Sequence, residues 1–140
     1  MSRRKSDPLA ELFSPEGPGT VRLGPDTDVA GLQEKAARLG WRCAVLDGPK
    51  MTDKRGMLEE LSHSLTFPDY FGWNWDALEE CLNDPAVMGD PAGWLLILRG
   101  ADEAERHAPE DFKALISVLT DASSSRREQD PAPAFKTVLL

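Results

Sequence analysis

No run of apolar side chains in this 140-residue chain reaches the roughly 18 residues that a bilayer-spanning helix needs. Met1 to Asp7 carry Arg3, Arg4 and Lys5 with no apolar stretch behind them, so no export signal is expected either. Both absences point to a cytoplasmic protein without membrane contact. Cysteine is scarce as well. Cys43 and Cys81 stand in apolar settings that read as buried, and a reduced thiol pair is expected over a disulfide. His63 and His107 are isolated from each other and from both cysteines, and the carboxylates form no oxygen-rich loop, so neither a metal site nor a cofactor is expected. His63 reads as an exposed helix residue.

Positive charge is the other shortage. Lys and Arg number 16 against 24 Asp and Glu, a net charge of −8 that repels phosphate backbones and anionic lipid and attracts basic partners. Direct nucleic-acid binding is disfavoured. The shortage becomes complete between Asp69 and Asp90. Asp69, Asp76, Glu79, Glu80, Asp84 and Asp90 occur there, and Lys, Arg and His do not.

What is present suits one domain with a single core, with 41% hydrophobic and 29% charged residues. Prolines and glycines crowd residues 1–27 and predict a mobile or loosely packed arm there, with a short strand at Thr20–Leu23. Asp28 is a good N-cap for a helix whose Val29, Leu32, Ala36 and Leu39 recur at helical spacing up to Gly40. Trp41–Leu46 reads as a strand buried on both faces, stopped by Asp47, Gly48 and Pro49. A second helix runs from Thr52 or Asp53 to Leu65 on a stripe of Met57, Leu58, Leu61 and Leu65. After a loop, Asn74 can cap a short third helix to Leu82 with Leu78, Cys81 and Leu82 inward. Trp94–Leu98 predicts a central strand. A fourth helix carrying Phe112, Leu115, Ile116 and Leu119 fades into a solvated linker at Ser123–Arg127, and Phe135–Leu140 forms a last strand. Strands alternating with helices imply an α/β fold: a small three-stranded parallel sheet covered by helices, with right-handed crossovers and an N-terminal helical extension.

On the third helix Asp76 and Glu80 are four residues apart, and a like-charged pair at that spacing costs a few tenths of a kcal/mol. The helix dipole favours Asp76 in the first turn, whereas Glu79 and Glu80 lie too far along to gain much. A solvated acidic face accounts for the pattern, and so does a basic partner; periodicity does not choose between them. Tyr70, Phe71, Trp73 and Trp75 fall within six residues, more aromatic area than one helix start can bury, so some of these rings should be exposed. Rings beside carboxylates make up a binding hot spot. Gly72 reads as a turn residue using positive φ and Asn74 as a cap. Asp76 and Glu80 as an acid–base pair would need burial to separate their pKa values, which an exposed helix face does not supply, so no catalytic residues are assigned.

The run Leu65-Thr66-Phe67-Pro68-Asp69-Tyr70-Phe71-Gly72-Trp73-Asn74-Trp75-Asp76-Ala77-Leu78-Glu79-Glu80-Cys81-Leu82 resembles the signature of the barstar family of ribonuclease inhibitors. The resemblance covers about residues 41–140, so residues 1–40 read as an added arm and helix. It implies a three-stranded parallel sheet and an intracellular inhibitor that plugs the active site of a secreted or toxin-type, guanyl-preferring ribonuclease as a monomer in a 1:1 complex. Carried over by position, the contacts would be Tyr70, Gly72, Asn74, Asp76 and Glu80, with Glu80 matching an aspartate that enters the nuclease's phosphate site. A further acidic contact late in the fourth helix aligns with Asp121. Glu79 replaces a tryptophan frequent in the family, while Trp73 and Trp75 are extra, so the aromatic anchor would move and partner specificity with it. Trp73 and Glu79 join the expected nuclease-binding residues, with Asp76, Glu79 and Glu80 standing in for RNA phosphates. An immunity or regulatory module against another nuclease, or a scaffold role, remains the competing implication.

Overall fold

The computed structural model describes residues 11–14, 16–129 and 132–140. The expectations placed on Met1–Asp7, Pro8, Pro15 and Pro131 lie outside them. The chain runs β1 (Thr20–Arg22), α1 (Val29–Arg38), β2 (Trp41–Asp47), a 3-10 turn (Gly48–Lys50), α2 (Lys54–Leu65) and α3 (Trp75–Leu82). It continues through α4 (Pro85–Met88), β3 (Gly93–Arg99), α5 (Ala101–His107), α6 (Pro109–Arg126) and β4 (Ala134–Leu139).

The sheet is parallel throughout, but it has four strands in the order β1-β4-β3-β2, where three were expected. The extra strand is β1, in register with β4 through Thr20 with Thr137, Val21 with Val138 and Arg22 with Leu139. Three residues between glycines and prolines give a faint strand signal. Their place in the sheet comes from the otherwise open edge of β4, whose backbone groups need partners.

Side-chain alternation along β3 builds both faces. Trp94, Leu96 and Leu98 enter a large core with α2, α3 and α6, while Leu95 and Ile97 enter a second core with Leu32 and Ala36 of α1 and with Leu12. Six of its seven residues are buried, as befits the centre of the sheet. β2 lies at an edge, so only Ala44 and Leu46 are fully buried and Cys43 and Val45 are half-covered, less than the two-sided burial expected. The described part of the arm is not loose. Leu12 is sealed in the second core and the Phe13 ring packs on Trp41 at 5.2 Å.

Asp28, Asp53 and Asn74 each cap a helix as their residue types predict, accepting from the N–H of Gly31, Gly56 and Ala77. α6 does not dissolve at Ser123. It runs to Arg126, and Ser123 and Arg126 are buried, the arginine donating to the carbonyls of Ala122 and Leu82. α4 and α5 have no counterpart in the sequence reading. Cys43 and Cys81 are free thiols packed with opposite cores, so the sheet stands between them. Among the described residues no helix is long and apolar enough to cross a membrane.

Candidate functional site

α3 is anchored before it begins. The Asn74 Oδ1 accepts from the Ala77 N–H at 2.7 Å, and its Nδ2 donates back to the Gly72 carbonyl at 3.3 Å, tying the incoming loop to the first helical turn. Leu78, Cys81 and Leu82 then fasten the inner face to the core. That leaves Asp76, Glu79 and Glu80 exposed on the outer face.

The sharp bend preceding α3 is made by Trp73, at φ 56°, and not by Gly72 as expected. A left-handed tryptophan costs about 1–2 kcal/mol, and its ring is held on both sides. It meets Phe71 edge-on at 5.0 Å, and the Arg55 guanidinium lies 4.3 Å from its centroid. Gly72 serves by size. A Cβ there would lie 3.2 Å from that of Ala77, so the glycine lets the loop sit close on the helix start.

The four clustered rings separate into distinct situations. Phe71 is buried, Trp75 packs on the core with the Lys54 ammonium 5.6 Å from its ring, Trp73 is 38% exposed and Tyr70 73% exposed. Tyr70 is therefore the open ring of the cluster, and both tryptophans carry a cation from the start of α2.

Between the Tyr70 loop and α3 lies a groove of about 330 Å³ lined by Tyr70, Phe71, Gly72, Asn74, Asp76, Ala77, Glu80, Cys81 and Asp84. It gathers five of the expected contact residues, Tyr70, Gly72, Asn74, Asp76 and Glu80, onto one concave wall. Trp73 and Glu79 are exposed beside it, and Asp121 is exposed on α6; none of the three lines it. Asp84 was not singled out from the sequence although it belongs to the same cation-free segment. Its place after the helix hid it from a reading based on helical spacing.

No ion pair among the described residues engages Asp76, Glu79, Glu80 or Asp84, and the groove lining contains no Lys, Arg or His. The field in the groove is negative. It reaches the Cys81 thiol in the wall, whose pKa is pushed up by burial and further by the charges of Asp84 and Glu80. Such a wall offers acceptors and an aromatic face to a cationic group.

No curated protein matches the chain. A family model described as Barstar (barnase inhibitor) does, over residues 41–137, a span that takes in β2, α2, the whole groove, β3 and most of β4 but not β1. With more than half of its length matched and the parallel sheet in place, the chain belongs to the barstar family.

Proposed function

We propose that this protein is an inhibitor, not an enzyme, that binds and blocks the active site of a basic, guanyl-preferring ribonuclease of secreted or toxin type, as a monomer in a 1:1 complex. Family membership supports the class of partner. The observation that carries the reading is the groove itself, in which Asp76 and Glu80, without an ion-pair partner among the described residues, stand beside the open Tyr70 ring. A cleft evolved to hold RNA phosphates supplies Arg, Lys and His side chains, and carboxylates on a rigid helix can occupy the phosphate positions. Tyr70 would cover the rim, with Gly72 and Asn74 offering backbone and amide contacts. Trp73, Glu79 and Asp121 fall to the periphery, where charge steers approach more than it holds the complex. We place this action in the cytoplasm, a compartment that suits two unbridged thiols.

The test compares two charge deletions in titrations against a barnase-type ribonuclease. Glu80→Ala should weaken inhibition by on the order of a hundredfold or more, the scale for stripping one partner from a desolvated charge pair. Glu34→Ala, on α1, should leave it unchanged. Raising salt should slow association of the unaltered protein. Equal inhibition by the two variants would remove the assignment, and capture of a nuclease of another class in place of this one would redirect it.

A further inference from the structure

Asp84 lies beyond α3, at the N-cap of α4, where one carboxylate oxygen accepts from the Ala86 N–H at 2.9 Å. A capping role alone would be met by Asn or Ser. Yet this side chain also lines the groove that holds Asp76 and Glu80, and among the described residues its second oxygen has no hydrogen-bond or ion-pair partner. Among the described residues, the cation that borders a neighbouring cavity of about 140 Å³ together with Asp84 is Arg126. Its guanidinium is committed elsewhere, to the carbonyls of Ala122 and Leu82 and to the face of Phe135 at 4.6 Å. Asp84 thus sits on a ridge between two concavities, half-buried, with its charge left over for the groove.

Resting on the inhibitor reading above, we infer that Asp84 is a specificity-determining contact that receives an additional Lys or Arg side chain from the rim of the ribonuclease cleft, outside the cations met by Asp76 and Glu80. Asp76, Glu80 and Asp84 follow one another at intervals of four residues, so the acidic line continues past the end of α3 along one wall. A cation bound there displaces water from the groove beside the open Tyr70 ring, and charge pairing strengthens as water is excluded. Nucleases without a basic group at that point of the rim would leave Asp84 desolvated and unpaired, which discriminates against them.

Asp84→Asn isolates the charge, because asparagine keeps the oxygen that caps α4. Association and dissociation rates with a barnase-type, guanyl-preferring ribonuclease are measured at low and raised salt for this variant, Asp76→Asn and Glu80→Gln, alongside urea midpoints. Asp84→Asn should bind about two- to fivefold more weakly, the range of a partly exposed ion pair. Its association rate should depend less steeply on salt, with the urea midpoint unchanged. Asp84→Ser, a second capping residue without charge, should behave the same way. If Glu80→Gln weakens binding while both Asp84 variants match the unaltered protein, or weaken it with the salt dependence intact, the inference is overturned and the inhibitor reading survives. If none of the acidic variants alters binding, the inhibitor reading itself fails and the role of Asp84 goes with it.

Discussion

Lys136 brings its ammonium into the packed side of β4 that faces away from the groove helices, where the residue is 1% exposed. Its Nζ donates to the carbonyls of Gly17 and Pro18 at 2.9 and 3.1 Å, and Arg127 also donates to Gly17. Burial, followed by the charge of Arg127, lowers its pKa to about 8 against a weaker opposing pull from Glu16. The unfolded chain would keep this lysine near 10.5. Between about 8 and 10.5 the unfolded state therefore binds more protons than the folded state, and this lysine's contribution to stability rises with pH across that window. Below it, the cost of holding a buried charge is fully felt. Urea midpoints of the protein and its Lys136→Met variant, taken from pH 7 to 10, should diverge progressively in favour of the lysine form. A difference that stayed flat with pH would mean that burial leaves the ammonium's proton affinity untouched.

At the scale of the element, α3 depends on its first turn. Eight residues are too few to hold a helix in water without a cap and a packed face. Asn74→Ala should cost about 1 kcal/mol of stability by freeing the Ala77 N–H, and Asn74→Ser should recover most of it. Both effects are read from urea unfolding, and an Ala variant as stable as the Ser variant would show the Asn74 bond to be incidental. Caps and stripes of this kind made α1, α2 and α3 legible in the sequence, because the residue types that start and bury a helix are local. The same reasoning missed α5, whose buried positions are only Ala101 and Ala104, too small to raise an apolar stripe above its charges. It cut α6 short because Ser123 and Arg126 look like linker, yet both are buried, the arginine held by backbone carbonyls of α6 and α3. At the groove, the helical spacing of Asp76 and Glu80 could be read directly. The left-handed turn at Trp73 could not, since it rests on a ring from its own loop and a cation from α2.

Across the whole molecule, the sheet has two apolar faces and two different covers. Helices α2, α3 and α6 close one side, while Leu12 and the α1 residues Leu32 and Ala36 close the other over Leu95, Ile97 and Val138. The family match starts at residue 41, after everything that forms this second cover. Treating residues 1–40 as a separate arm beside a self-sufficient domain of residues 41–140 therefore meets a physical objection. Removing them would bare Leu95, Ile97 and Val138, each worth roughly 1.5–3 kcal/mol when fully buried, and would also unpair the edge of β4. Domains of this size have only about 5–15 kcal/mol in reserve. A chain cut to residues 41–140 should accordingly bind a hydrophobic dye, associate on a sizing column and lose its cooperative urea transition. Leu32→Ala in the intact chain should retain that transition but lower its stability by about 2–5 kcal/mol. Should the shortened chain instead unfold cooperatively at the unaltered midpoint and still inhibit the ribonuclease, α1 and β1 would be ornaments on the inhibitor and not a needed cover for its second core.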